Sequence, residues 1–549
     1  MRYLIIVEIE EKKFMNKVAV LDCTLRDGGY VNDFDFSKNT IKTIISKLGK
    51  AHMDVIECGF LKDIQYDENR SIYSDVDQIT SLIAPKKKHS MYVAMIVTGT
   101  ISASKIIPRR KDTIDGIRIT FHKKEMDEAF ELGYALMDKG YEIFMQPVGT
   151  TTYSDVELLD LFERINEMKP YAFYLVDTLG KLYAKQLLKL FYLADDNLDE
   201  EITIGYHSHN NLQLSFSNAQ QLISSCGKRN IMIDGSILGM GRGAGNLCSE
   251  ILTQYINENI EYRYHTDLLL ELMDEYISPI SYIHPWGYSA GYFLAATNNC
   301  HPNYVGFLLN KQTLNMKQIY QVLKEIPTQE RALYNEKLIA NLYLKFQENK
   351  IDDKDTIKEL QKQIKDKKIV VIAPGKSVID EKEKIKEYMK QENLFVVSVN
   401  SIPEYITPDL VFISNQKRYH QLKKEHGIKE LPFPVLTTSN IEVSKAVKYI
   451  VNYSSLVMAD EMISDNACLM LFNLLLDMGV EEVSVIGFDG YHTNVERNYY
   501  NQRLINSSDR EKLKMINKHI KKYMKKIEAH MDVCYVTESL YKSENKSKN

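Results

Sequence analysis

Residues 171–196, YAFYLVDTLGKLYAKQLLKLFYLADD, contain the pattern that decides the fold. The run at 171–178 is apolar, and the stretch at 183–196 has apolar residues three and four positions apart. The first pattern predicts a buried strand and the second an amphipathic helix. Further apolar runs of the same kind are VAVLDCTL (18–25), MDVIECGF (53–60), MYVAMIV (91–97), GIRITFH (116–122), YEIFMQPV (141–148), ITIGYHSH (202–209) and IMIDGSIL (231–238).

Eight strands that alternate with helices over about 250 residues predict an α/β fold, a (β/α)8 TIM barrel. A doubly wound open sheet would give the same alternation, but the count of eight favours the barrel. We expect the barrel over 17–250, after an N-terminal extension at 1–16 and before a helical extension of the barrel at 251–347.

A second domain is expected because 549 residues are too many for one core. The segment 348–367 is dense in charge and predicts a solvated linker helix. Residues 368–540 predict a Rossmann-like α/β domain, and 541–549 predict a disordered tail. The strand candidates of this domain are KIVVIAPGKS (368–377), LFVVSVN (394–400), DLVFISN (409–415), PVLTTSN (434–440), KYIVNYS (448–454), EVSVIGFDG (482–490) and DVCYVTES (532–539).

Composition excludes several classes of protein. A net charge of -5 gives no reason to expect a nucleic acid polymer as partner, and no apolar run is long enough to span a membrane. Seven scattered cysteines without a CxxC pair favour reduced thiols and a cytoplasmic location. The first 16 residues lack the pattern of a secretory signal, and Met15 is an alternative start because a strand follows it directly.

Two histidines and an aspartate indicate a metal site. His207 and His209 alternate at the end of the seventh strand run, so their side chains project to the same side. Asp27 follows the first strand, and both strands end at the same mouth of a barrel. Two imidazoles and one carboxylate form a facial set that leaves positions open for substrate and water. Asn246, at the end of the glycine-rich stretch DGSILGMGRGAGN, could offer its side-chain oxygen to the metal or hold a ligated water.

The motifs TLRDGG (24–29), HSHNN (207–211) and GMGRGAGN (239–246) resemble those of the DRE-TIM metallolyase superfamily, and most of all its 4-hydroxy-2-oxoacid aldolases. The resemblance covers about 17–345 and implies Mn²⁺ or Mg²⁺ at Asp27, His207 and His209, chelating a 2-oxoacid such as pyruvate. It also implies that Arg26 stabilises the developing enolate and that Thr178 hydrogen-bonds the substrate carboxylate.

The catalytic base is the point at which the sequence departs from that family. The aldolases typically place a histidine at the position of Tyr30, and a phenol is a poor base at neutral pH. Tyr30 could act as a proton shuttle or substrate gate, and His122 and Tyr288 are the other candidates for the base. Each of these residues could instead be a packing residue.

Partners follow from the resemblance as well. In the family, the helices after the barrel contact a dehydrogenase that receives the aldehyde, and dimerisation through these helices is a family-level expectation. The local sequence does not decide between such a partner and a helical cap that closes the barrel. Glu57 lies at the end of the second strand run, where a structural ion pair and a binding role are equally plausible, and the same two readings apply to Arg118 and Gln146.

The second domain carries polar residues at its predicted strand ends, where open α/β sheets bind ligands. These short motifs loosely resemble the sialyltransferase-like and motility-accessory-factor domains of bacterial surface-glycan pathways. The resemblance implies a nucleotide or nucleotide-sugar site, and with it a role in surface polysaccharide biosynthesis. The residues implied are Gly375, Ser377, Asn400, Asn415 and Asp489.

The leading hypothesis is a metal-dependent aldolase or carbon–carbon lyase that takes a 2-oxoacid and an aldehyde. Two alternatives stay open. The barrel could be an acyl-CoA-dependent Claisen condensing enzyme of the same superfamily, or it could be a catalytically inactive scaffold. Activity with acetyl-CoA would favour the first, and independence of metal would favour the second.

Overall fold

The computed structural model describes residues 17–426, 433–444, 447–460, 462–492, 497–500 and 510–542, so the predicted extension at 1–16 lies outside them. The chain divides into two compact units. Unit 1 comprises Met1–Pro302 with Arg331–Leu333, and unit 2 comprises Asn303–Glu330 with Tyr334–Asn549. Within the described ranges, no helix is long and apolar enough to cross a membrane.

Unit 1 is a closed barrel of eight parallel strands, which confirms the predicted TIM barrel. A short ninth strand, β3 (Ile72–Tyr73), pairs with β2 outside the ring. The ring closes where β1 pairs with both β2 and β9. The ring strands are β1 (Val18–Asp22), β2 (Val55–Leu61), β4 (Met91–Val97), β5 (Gly116–Phe121), β6 (Glu142–Pro147), β7 (Ala172–Asp177), β8 (Thr203–Ser208) and β9 (Ile231–Gly235).

Helices surround the barrel and bury its outer surface. The main apolar cluster lies between strands and helices, and alternate strand residues form a second cluster inside the ring. Inside, the ring of Tyr174 lies against Gly205, where a β-carbon would be 2.4 Å from it. The helices of unit 1 are α1 (Lys38–Lys50), α2 (Val76–Ile83), α3 (Met126–Met137), α4 (Asp155–Met168), α5 (Ala184–Asn197), α6 (Ser215–Ser225), α7 (Ser249–Asn259), α8 (Thr266–Leu272), α9 (Ser278–Ile283) and α10 (Ala290–Thr297).

Unit 2 contains an open parallel sheet of seven strands, in the order β14-β13-β12-β11-β10-β15-β16. Separate apolar clusters cover its two faces, as expected for a Rossmann-like domain. The strand order reverses between β10 and β15. The strands are β10 (Lys368–Ile372), β11 (Leu394–Val399), β12 (Leu410–Ile413), β13 (Val435–Thr438), β14 (Tyr449–Val451), β15 (Glu482–Ile486) and β16 (Asp532–Tyr535).

The helices of unit 2 begin earlier in the chain than its sheet does. Nearly all of α11 and the next two helices belong to this unit, although the sequence assigned them to the barrel. They are α11 (Pro302–Lys311), α12 (Met316–Lys324), α13 (Glu336–Gln347), α14 (Lys354–Ile364), α15 (Ser377–Asp380), α16 (Lys382–Tyr388), α17 (Gln416–His426), α18 (Tyr453–Leu456), α19 (Ala467–Asp477) and α20 (Arg510–Ile527).

Polar contacts explain why the domain boundary differs from the predicted one at 348–367. On α13, the Tyr343 hydroxyl donates to Asp465 at 2.5 Å, and Gln347 Nε2 donates to the Tyr453 hydroxyl at 2.8 Å. The charged segment is not a solvated linker either, because Leu360 of α14 is buried in the sheet's core. These helices are therefore part of unit 2.

The predicted tail at 541–549 begins too early. Tyr541 is buried, and its hydroxyl donates to Asn517 Oδ1 at 2.8 Å. An aromatic ring in the core orders this position despite the polar sequence that follows it. Residues 543–549 lie outside the described part of the chain.

Candidate functional site

Asp27, His207 and His209 lie together at the carboxyl ends of the barrel strands. One ligand atom from each residue lies within 4.8 Å of the other two. The centroids of the two imidazole rings are 5.4 Å apart. Both rings project to the same side of the chain, as the alternation of the two histidines predicted. This is the one group of three or more histidine, cysteine or acidic residues with such spacing in the described ranges.

Asp27 is held in the turn that follows β1. Its backbone amide donates to the Cys23 carbonyl at 2.8 Å, and Arg26 Nη1 and Asn246 Nδ2 donate to its two carboxylate oxygens. The turn needs glycine at position 29, because a β-carbon there would lie 2.3 Å from the ring of Phe34. Burial is the strongest single influence and favours the neutral acid, but the positive charges around the carboxylate, Arg26 first among them, together hold the pKa of Asp27 well below its usual range.

A buried network of charges lies beneath this cluster. Arg118 spans the barrel, with Nη1 2.7 Å from Glu57 Oε2 and Nη2 donating to Asp234 Oδ2. Asp234 also accepts from His207 Nδ1 at 2.9 Å, in the tautomer that carries the proton there, and Glu57 accepts from Arg26 Nε at 2.8 Å. The network fixes the orientation of His207 and leaves its Nε2 for a ligand.

The donor set fits a divalent cation. Burial lowers the pKa of His209 to about 3, so its imidazole is neutral and can ligate a metal. His209 Nδ1 and Asn246 Oδ1 are buried and have no hydrogen-bond partner among the described residues. A cation would satisfy such atoms. Two histidines and a carboxylate also leave coordination positions for a substrate.

The other residues predicted for the barrel site are not members of the cluster of Asp27, His207 and His209. The hydroxyl of Thr178 accepts from the Gly149 amide at 2.9 Å, at the same end of the barrel. His122 follows β5 and is half-buried, whereas Tyr288 is 60% exposed. The ring of Tyr30 packs on Phe34, and burial raises the pKa of its phenol. None of these four roles is tested by the geometry, so each remains a prediction.

Sequence reasoning missed Asp234, and for Glu57, Arg118 and Gln146 it left open a structural ion pair and a binding role; Glu57 and Arg118 do form an ion pair. In the amide orientation that places its oxygen toward Arg118, Gln146 accepts from Nε at 3.0 Å. A signal was present, because each is a polar residue inside an otherwise apolar strand run. Such residues face the barrel interior, where an isolated charge would be costly and a partner is required.

Unit 2 has a cavity of about 630 Å³ at the carboxyl edge of its sheet. It lies where the strand order reverses, which is where open α/β sheets bind ligands. Its lining includes four of the five residues predicted for a nucleotide: Gly375, Asn400, Asn415 and Asp489.

The fifth residue, Ser377, does not line the cavity. Its amide donates to Asp489 Oδ2 at 2.8 Å, and its hydroxyl donates to the other carboxylate oxygen. The carboxylate of Asp489 thus occupies the position that a phosphate would take at this turn. The helix that follows is also only four residues long. The lining of the cavity includes the cation Arg418.

The fold and the cluster define the first unit as a (β/α)8 barrel with a candidate metal centre at its catalytic end. Residues 17–272 match the family model described as HMGL-like. The barrel is therefore an HMGL-like domain, as the DRE-TIM motifs predicted.

Similar proteins include lyases of this superfamily. The chain is 25% identical over 277 residues to a 4-hydroxy-2-oxovalerate aldolase of Marinomonas sp.. The matched region covers 49% of this chain and 79% of the relative. It is 23% identical over 233 residues to an oxaloacetate decarboxylase of Mycobacterium tuberculosis, covering 42% and 68%. The N-terminal domain of a candidate aldolase from Bacteroides vulgatus has 24% identity and a TM-score of 0.46, covering 53% of this chain and 96% of that one.

Proposed function

We propose that the barrel is a divalent-metal-dependent aldolase or carbon–carbon lyase that acts on a 2-oxoacid. The observation that supports this most directly is the buried cluster of Asp27, His207 and His209 beside the guanidinium of Arg26. The similar aldolases and the decarboxylase also make or break the C3–C4 bond of a 2-oxoacid. This chemistry passes through an enolate, which the enzyme must stabilise.

The reaction assigns a role to Arg26. In cleavage of a 4-hydroxy-2-oxoacid, the C3–C4 bond breaks and its electron pair forms the enolate of pyruvate. The proton of the 4-hydroxyl goes to a base, the aldehyde leaves, and C3 then takes up a proton. A divalent cation bound here would act as a Lewis acid toward the 2-oxo group.

Arg26 has a donor available for the enolate. Asp27 and Glu57 hold two of its nitrogens, whereas Nη2 is buried with no hydrogen-bond partner among the described residues. A fixed donor that meets charge as the charge develops stabilises the transition state more than the ground state. The base remains a choice among Tyr30, His122 and Tyr288. Burial raises the pKa of the Tyr30 phenol, which disfavours its phenolate.

Metal content and pyruvate release test this proposal together. We expect purified protein to bind one Mn²⁺ or Mg²⁺ per chain and to release pyruvate from 4-hydroxy-2-oxoacids, because the three ligands form a preorganised set. Asp27→Ala and His207→Ala should lose both metal and release. His89→Ala is the matched control, because His89 is an exposed histidine before β4, at the other end of the barrel.

The alternatives have distinct outcomes in the same assays. Bound metal with turnover of acetyl-CoA and a 2-oxoacid, but no aldol cleavage, would identify a Claisen condensing enzyme. Protein that binds no metal and turns over neither substrate set would identify a scaffold. Either result would contradict the aldolase proposal.

We propose further that the cavity of unit 2 binds a nucleotide or nucleotide-sugar, in a step of surface polysaccharide biosynthesis. Its volume suits a ligand of that size, and its position at the strand reversal supports the assignment. Asn400 contributes the most specific feature. Its Oδ1 is buried without a hydrogen-bond partner in the described part of the chain, so it can accept from a ligand.

Replacing Asn400 by glycine should weaken nucleotide binding about tenfold, because one hydrogen bond to the ligand is lost. Glycine is chosen because Asn400 has a φ of 59°, which glycine adopts without strain. The matched control is Asn393→Gly, since Asn393 has a φ of 60° and is exposed at the other end of β11. Calorimetric titration with CMP, UDP and GDP measures the effect. Equal affinity of both variants, or no binding by wild type, would contradict the proposal.

A further inference from the structure

Arg242 is a cation at the barrel mouth that pairs with no acidic side chain in the described part of the chain. Its guanidinium carbon lies 4.0 Å from the centroid of the Tyr30 ring, and the side chain is exposed. Arg26 and Arg118 each form ion pairs with two acids, whereas Arg242 forms none among the residues that the structure describes. A positive charge placed beside an active site and not neutralised there is available for a ligand.

The loop that carries Arg242 is fixed to the metal cluster. The backbone amide of Asn246 donates to the Gly239 carbonyl at 2.9 Å, and the backbone amide of Gly245 donates to the Arg242 carbonyl at 3.0 Å. On the other side, the Asn210 amide donates to the Gly245 carbonyl at 2.8 Å. Since Asn210 follows the ligand His209 directly, the backbone of Arg242 has a defined position relative to that ligand.

The arginines at the two depths of the site differ in exposure. Arg26 is buried and lies at the floor of the site, whereas Arg242 is exposed at its rim. The site therefore has one cation for the reacting end of a substrate and another for a group farther out.

We propose that Arg242 binds an anionic group at the distal end of the substrate, so that the aldehyde half carries a carboxylate or a phosphate. This rests on the proposed aldolase function and names its substrate class. The guanidinium is suited to the role, because its planar fork pairs with either anion and stays charged at any physiological pH. The stack on Tyr30 keeps the fork in place.

Binding of unreactive analogues tests the proposal without turnover. 2-Oxoadipate and 2-oxohexanoate differ only at the distal end, and neither has the 4-hydroxyl needed for cleavage. Trp286, the single tryptophan, donates to the Leu238 carbonyl at 3.0 Å and reports binding by fluorescence. With Mn²⁺ present, we expect wild type to bind 2-oxoadipate at least tenfold more tightly, and Arg242→Gln to lose that preference. Equal binding of the two acids by wild type would overturn the proposal.

Condensation with pyruvate distinguishes carboxylate from phosphate. Two pairs of acceptor aldehydes are compared, each with a neutral and an anionic member. Butyraldehyde is paired with succinic semialdehyde, which adds a carboxylate, and glycolaldehyde is paired with glycolaldehyde phosphate. We expect Arg242→Gln to raise KM for the favoured anionic aldehyde at least tenfold more than for its neutral partner, and Arg242→Lys to restore part of the preference. Arg164→Gln is the control, because Arg164 is on α4, outside the strand ring. Its guanidinium carbon lies 4.2 Å from the centroid of the Phe130 ring on α3. A uniform loss on both aldehydes would show that Arg242 only supports the loop.

The two proposals can fail separately. A preference for 2-oxoadipate that depends on Arg242, without condensation of any aldehyde, would uphold the anion site and contradict the aldolase function. Condensation without a preference for anionic aldehydes would uphold the aldolase and overturn the role of Arg242.

Discussion

Replacing Arg118 by methionine is expected to lower the free energy of unfolding of the barrel by about 3–5 kcal/mol. Arg118 is completely buried and is paired with Glu57 and Asp234. Methionine fills most of the volume of the side chain but leaves these carboxylates short of a cation. Breaking a buried ion pair on one side is costly, because the remaining charge has lost water and gained no partner.

Urea unfolding followed by the fluorescence of Trp286 measures this loss, since that residue lies in unit 1. Arg164→Met is the control. Arg164 pairs with Asp127 at the surface, where an ion pair contributes at most about 1 kcal/mol. A loss below about 1 kcal/mol in Arg118→Met would show that Glu57 and Asp234 are held by their other partners, Arg26 and His207.

The barrel and the spatial grouping of Asp27, His207 and His209 were largely predictable from local sequence. Each ring strand lies within or one residue beyond its predicted run, because a strand buried on both faces is a continuous apolar segment. The pairing of His207 with His209 follows from the two-residue period of a strand. The position of Asp27 follows from the rule that parallel strands of a barrel end at one mouth.

The charge network was not predictable, because it depends on pairs that cross the barrel. Arg118 lies on β5 and Asp234 on β9, which are opposite one another in the ring. Neighbouring strands are related by register, but contacts across the interior also depend on shear and side-chain length. Polar residues in apolar strands therefore show that partners exist without showing which ones.

The domain boundary predicted at 348–367 is wrong because the many charged residues of this segment obscure the spacing of its few apolar ones. Ile357, Leu360 and Ile364 are spaced three and four apart, and all three pack on the core of unit 2. That spacing marks a buried helix face even in a segment with many lysines and acids. High charge density alone predicts a linker here, whereas the apolar period indicates a helix packed on the core of unit 2.

The turn after β10 shows a different limit. The sequence analysis names Ser377 of this turn among the residues of a nucleotide site, but Asp489 accepts from the Ser377 amide from 112 positions away. Nothing local to the turn reveals that its anion is supplied by the protein. Asp489 lies at the same strand edge, and its contact with Ser377 occupies the amide and hydroxyl of that residue, whereas Gly375 of the same turn lines the cavity.

Replacing Arg26 by glutamine is expected to lower kcat for pyruvate release about 100- to 1000-fold, the usual loss when a fixed donor to a developing oxyanion is removed. Glutamine can still donate to Asp27 or to Glu57, but it cannot contact both and also present a third donor. The main loss is therefore the contact that Nη2 would make with the enolate.

The measurement is steady-state kinetics at saturating Mn²⁺, with metal content determined on the same sample. Arg26 also donates to the ligand Asp27, so full metal occupancy is needed to separate catalysis from metal binding. Arg26→Lys keeps the positive charge without the fork and should recover only part of kcat. A metal-loaded Arg26→Gln variant within threefold of wild type would contradict this role, since the enolate would then be stabilised without the guanidinium.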